Sequence, residues 1–196
     1  MNRRIIAIFA VLLVIALGLT YYAYELKRKV AHDEQLASQQ QQAMTPPANG
    51  PATLVALYLA SDSDGSLRKT QLNLQLPPER SERARAVLRA LLAQYLQPGS
   101  SHAIGQGSDI RDVYLLGDDT AIVDTDAAFA DAHPSGVLAE ELTVGSMVVT
   151  LNANDPAIQR VKILVNGQER ETLAGHADLH RFYEVSNIGQ VMKDMQ

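Results

Sequence analysis

Residues Arg160 to Tyr183 read RVKILVNGQERETLAGHADLHRFY, and the fold is decided there. Val161, Ile163 and Val165 alternate with Lys162 and Leu164, the two-residue period of a strand with one buried face. Asn166-Gly167 supplies the pair that tolerates positive φ at both centres of a type I′ turn. Gln168 to Leu173 is expected to run back beside the first strand, and Ala174-Gly175-His176 to leave the sheet as a loop. A hairpin of this kind is not stable alone and needs further strands and helices to cover its apolar face.

The residues before it supply them. Thr53 to Ala60 (TLVALYLA) reads as a strand buried on both faces, Asp62-Ser63-Asp64-Gly65 as a turn, and Leu67 to Leu76 as the returning strand. Asp62 also opens a D-x-D-G sequence like a calcium loop, but the twelfth position is Asn73 instead of the glutamate such a loop requires. After Pro77-Pro78, Ala84, Val87, Leu88, Leu91, Leu92 and Tyr95 recur at helical spacing, and Pro98-Gly99 ends the helix. Arg80, Arg83, Arg85 and Arg89 occupy other positions of that helix and form a candidate contact face for acidic partners.

Ile110 to Leu116 and Ala121 to Asp126 read as a second hairpin across Gly117-Asp118-Asp119. Ser135 is placed to cap a helix from Gly136 to about Asn152, although Thr143, Val144, Val148, Val149 and Thr150 are poor helix formers. The order β-β-α-β-β-α-β-β predicts an α+β two-layer sandwich: a mostly antiparallel sheet, residues 53–185, with two helices on one face.

The N-terminal region is of another kind. Residues 1–4 form a short stub, and Ile5 to Tyr24 is an uncharged run of twenty residues, long enough as a helix to cross a bilayer. Tyr21, Tyr22 and Tyr24 sit at one end, where amphipathic rings favour the headgroup level. The run is followed by Glu25-Leu26-Lys27-Arg28-Lys29 without an A-x-A cleavage pattern, which favours an uncleaved signal anchor. Arginines 3 and 4 nearly balance the basic residues after the run, so charge does not orient it. Residues 25–52, with Gln39–Gln42 and a Pro/Gly-rich end, read as stalk and linker, and 186–196 as a tail.

The chain has 196 residues, a formal charge of −5 and no cysteine, so disulfides and thiolate metal sites are excluded. Residues 53–185 hold 11 Lys and Arg against 18 Asp and Glu, a net of −7, a poor match for nucleic acid.

Four stretches carry a resemblance. They are VALYLASDSDG, AVLRALLAQYLQPG, IRDVYLLGDDTAIVDTDAAFAD and VKILVNGQERETLAGHADLHRFYEV. Together they resemble the GerMN domain, named from a sporulation and spore-germination protein. The resemblance implies a ring-building-motif-like fold outside the cytoplasmic membrane, in the periplasmic cell envelope. It also implies a scaffold or protein-interaction role, with partners among envelope proteins or further copies of itself in a ring or stack. The lipoprotein members carry a lipid-modified cysteine, where this chain has the candidate membrane span.

The chemistry available to a competing function is sparse. His176-x-Asp178-x-His180 is the one cluster of ligand types at close spacing, and it would make a metal- or small-ligand-binding module if an extended backbone put all three on one side. The resemblance instead places Gly175, His176 and Asp178 in a structural loop. Asp124 and Asp126 share a strand face but lack a nucleophile or oxyanion donor, and Asp126 suits a helix cap. His102 and His133 lie in polar loops and are expected to be exposed, and Gly105-Gln106-Gly107 lacks the context of a phosphate loop. The expectation is a protein with no cofactor and no catalytic activity.

Overall fold

The computed structural model describes residues 52–188. The expectations for residues 1–51 lie outside the described residues, as does most of the tail. No helix among the described residues is long and apolar enough to cross a membrane.

The order is β1 (Ala52–Ser61), β2 (Ser66–Gln75), α1 (Arg80–Tyr95), β3 (Ile110–Leu116), β4 (Thr120–Thr125), α2 (Ala127–Asp131), α3 (Val137–Asn154), β5 (Arg160–Val165) and β6 (Tyr183–Glu184). The class is α+β, with antiparallel and mixed pairing. α3 packs against β1, and α1 lies against β3 and also meets β1 and α3.

The predicted single sheet is instead two. β1 and β2 form a two-stranded ribbon, while β3-β4-β5-β6 form a four-stranded sheet whose central β4–β5 pair is parallel. The cause lies along the second edge of β1, where side chains replace a neighbouring strand. Asn154 accepts from Ala56 N–H at 3.0 Å and donates to Ala56 O at 2.7 Å. One helical turn earlier, Thr150 Oγ1 accepts from Tyr58 N–H at 3.0 Å. The Tyr95 hydroxyl accepts from Ala60 N–H, and Ser101 Oγ donates to Ala60 O, both at 3.0 Å. Main-chain groups satisfied in this way have no ladder left to offer a strand.

The turn at Asn166-Gly167 forms as read, with φ of 52° and 72°. The returning strand does not. After a single bridge from Val165 to Gln168 the chain turns away, and the antiparallel partner of β5 is β6. Glu169, Arg170 and Glu171 offer no apolar side chain to the core. The next one, Leu173, is fully buried from a loop, together with Ala177 and Leu179.

α3 settles its own ambiguity. Leu142 to Val148 are buried without a break, so the helix is enclosed on all sides and packing overrides the poor propensity of its β-branched residues. With Leu88, Leu91 and Leu92 of α1 and Ile163 of β5 it fills the core. Each such side chain contributes about 1.5–3 kcal/mol on burial. The short α2 was not predicted. Asp126 caps it by accepting from Phe129 N–H at 3.0 Å, the role the sequence favoured. Gly105 packs directly on it: a Cβ there would lie 2.5 Å from that of Ala132.

Candidate functional site

Among the described residues, the most highly bonded ionisable group is Glu140, in the first turn of α3 and fully buried. Its Oε2 accepts from the N–H groups of Ala174, His176 and Ala177, each at 2.9 Å. Oε1 meets Gly136 N–H at 3.1 Å and His176 Nδ1 at 2.9 Å. Burial alone would raise the pKa of this carboxyl, but these donors outweigh it and bring the value down to about 2. Glu140 thus fixes loop 173–177 onto the helix, and that loop places Leu173 and Ala177 in the core.

His176, Asp178 and His180 were the metal candidates, and the fold does not gather them. Their backbone is a series of bends and a turn instead of an extended strand. His176 is committed to Glu140, and Asp178 Oδ1 accepts from His180 N–H at 2.8 Å. Among the described residues, no three His, Asp or Glu side chains are grouped to hold a metal ion. Asp124 and Asp126 also separate: Asp124 accepts from Gly167 N–H at 2.6 Å and supports the turn.

A second network joins His102, Thr143 and His133. Both histidines were expected to be exposed, and both are buried, at 0% and 6%. They are drawn inward by the Thr143 hydroxyl, which lies 2.6 Å from His102 Nε2 and 2.7 Å from His133 Nε2. Their other nitrogens face acceptors, the Asp62 carboxylate at 2.5 Å and the Pro134 carbonyl at 2.8 Å, so both Nδ1 atoms carry hydrogen. The Thr143 hydroxyl itself donates to the Ala139 carbonyl at 3.0 Å, so its oxygen joins both rings to the backbone of α3. Burial holds the pKa of His133 down, which keeps its ring neutral.

Carboxylate, imidazole and hydroxyl follow one another here as in a nucleophile triad. Thr143 and His102 are nonetheless both 0% exposed, so the hydroxyl is sealed from any substrate. The bond set ties the β1–β2 turn, the loop after α1 and α3 together.

Three of the four candidate arginines are spent within the chain. Arg80 binds Asp155 at 2.5 Å and the Asp118 carbonyl at 2.7 Å. Arg85 binds Glu82 at 2.5 Å and the Arg111 carbonyl at 3.2 Å. Arg89 grips Asp109 with two nitrogens, at 2.9 and 2.6 Å, and adds the Ile110 carbonyl. They anchor α1 to β3 and its flanking loops. Arg83 donates to the Pro78 carbonyl and lines a groove of about 630 Å³ with Leu54, Leu76, Val87 and Leu151.

Sequence reading missed Glu140, although a signal existed. A carboxylate in the first turn of a helix that is apolar on nearly every side must be exposed or heavily bonded. The network around Thr143 had no such signal, because its members are far apart in the chain.

The family described as Germane, sporulation and spore germination, matches residues 56–171, more than half of the chain. The chain belongs to the Germane family. Glu140 and the His102–Thr143–His133 network lie inside the matched part of this Germane domain, while His176, Asp178 and His180 lie beyond it. Among solved structures, this Germane chain is similar to a candidate lipoprotein from Clostridium perfringens: 17% identity, TM-score 0.49, covering 71% of this chain and 91% of that one. It is also similar to the first GerMN domain of the sporulation protein GerM from Bacillus subtilis, at 22% identity, TM-score 0.48, covering 65% and 92%. The tandem GerMN domains of the same protein match at 23% identity and TM-score 0.49, with 66% of this chain covering 44% of theirs. No curated protein matches it.

Proposed function

We propose that this Germane-family chain is a scaffold or protein-interaction module of the bacterial cell envelope without catalytic activity. Residues 5–24 hold it in the cytoplasmic membrane, and the domain lies outside. The observation that carries this reading is where the chemistry goes. The Glu140 carboxylate, the Thr143 hydroxyl and the arginines of α1 are all committed to bonds that hold the fold together. What faces solvent instead is surface suited to contact, the β1–β2 ribbon and the groove at its open end. The uncharged run at 5–24 supports the anchor.

Two measurements test it. Protease added to intact spheroplasts should digest the domain of the full-length chain, whereas protection until the membrane is opened would place the domain inside and sink the reading. The full-length chain carrying photo-reactive residues at Leu54 and Tyr114 should be captured in living cells by an envelope protein or by a second copy. Failure of every surface position to capture either would remove the scaffold role.

A further inference from the structure

β2 is the outer strand of the ribbon, ten residues long, with no register shift against β1. The side-chain bonds on the far edge of β1 fix which groups of β2 are free to pair. Ala56, Tyr58 and Ala60 point their N–H groups away from β2 and stand opposite Gln71, Lys69 and Leu67. In an antiparallel pair such residues turn their main-chain groups outward on both strands. Among the described residues, Leu67, Lys69, Gln71, Asn73 and Gln75 therefore present a row with no partner strand along the outer edge. Proteins blunt such edges by shortening them, or with bulges, prolines and charges. Here there is no proline and no bulge, and Lys69 is the one charged residue of the outward set. Of the outer strands of the four-stranded sheet, β3 is shorter and interrupted between Ile110 and Asp112, and β6 has only two residues.

We infer that the outer edge of β2 is a docking strand for the same strand of a second copy, paired antiparallel about Gln71. In that register Lys69 faces Asn73 of the other copy, Arg68 faces Leu74 and Thr70 faces Leu72, so no like charges meet. Leu72, 36% exposed, approaches its own counterpart diagonally across the axis. The far edge of β1 is occupied by side chains, so each ribbon has one open edge and the assembly closes at two copies instead of growing. The inference rests on the scaffold reading and names one of its surfaces.

The chain has no cysteine, which makes the test clean. Full-length chains with Gln71→Cys are oxidised in native membranes, with Asp118→Cys in the β3–β4 turn as the collision control. Residues paired in this way lie about 5.5 Å apart, within disulfide reach. The expected result is several-fold more disulfide-linked dimer from Gln71→Cys than from Asp118→Cys. Adding Asn73→Pro should abolish the excess, because the N–H it removes points outward and takes no part in folding the ribbon. Equal yields from the two positions, or an excess that Asn73→Pro leaves untouched, would overturn the inference. So would photo-capture at Gln71 of a foreign protein in place of a second copy, and that outcome would leave the scaffold reading standing.

Discussion

Glu140 concentrates more of the fold's bonding than any other single side chain described, and its acid sensitivity follows directly. Its pKa lies near 2 in the folded chain against 4.5 ordinarily. The bonds to the ionised form therefore stabilise the fold fully above pH 4.5 and are lost as pH falls from there towards 2, a change of about 3 kcal/mol. Glu140→Gln should remove most of that contribution at neutral pH, because an amide turns a donor towards N–H groups that need an acceptor. Denaturant unfolding at pH 7 and pH 3 checks both: the wild type should weaken on acidification, and the variant should start weak and change less. His133 acts in a higher range. Burial keeps its folded pKa below the ordinary 6.5, so as pH drops through 6.5 the unfolded chain takes up a proton that the folded chain refuses. Stability should be full above that value and decline below it, and His133→Asn should flatten the slope between pH 7.5 and 5.5. A slope unchanged in the variant would assign the effect to another group.

At the scale of elements, the division into two sheets depends on Asn154. Its amide makes with Ala56 the two bonds that a neighbouring strand would otherwise make. Asn154→Ala leaves both main-chain groups without those partners at a half-buried position and should cost about 2 kcal/mol. It also uncovers part of a second strand edge, so the variant should aggregate at concentrations where the parent stays dispersed, as light scattering would show. This arrangement was not legible in the sequence. Periodicity located seven of the nine elements among the described residues, because strand and helix spacing are local properties of burial. It also gave the turn at Asn166-Gly167, where residue chemistry fixes backbone angle. Whether a strand's second edge meets another strand or a row of side chains depends on Ala56 and Asn154 meeting across most of the domain. For the same reason Gln168 to Leu173 read as a strand: alternation cannot report that the free side of β5 is taken by Tyr183 and Glu184. The metal reading of His176, Asp178 and His180 rested on extended backbone along that same loop, where Glu140 imposes bends.

For the whole molecule, the decisive question is whether the body remains single or pairs through its ribbon, and the alternation of β2 gives it a residue-by-residue signature. Arg68, Thr70, Leu72 and Leu74 stand opposite Leu59, Leu57, Val55 and Thr53 and turn their amides towards β1. They are protected from hydrogen exchange in one copy or two. The amides of Leu67, Lys69, Gln71, Asn73 and Gln75 point outward and exchange freely unless a second strand covers them. Raising the concentration of the full-length chain in detergent micelles should slow the odd-numbered amides of β2 and leave the even-numbered ones unchanged. The even-numbered amides serve as the internal reference, because their bonds to β1 are the same in one copy or two, and repeating the series at several detergent concentrations separates pairing from micelle contact. Uniform slowing, or no change over a hundredfold range of concentration, would mean that the outer row of β2 meets only water.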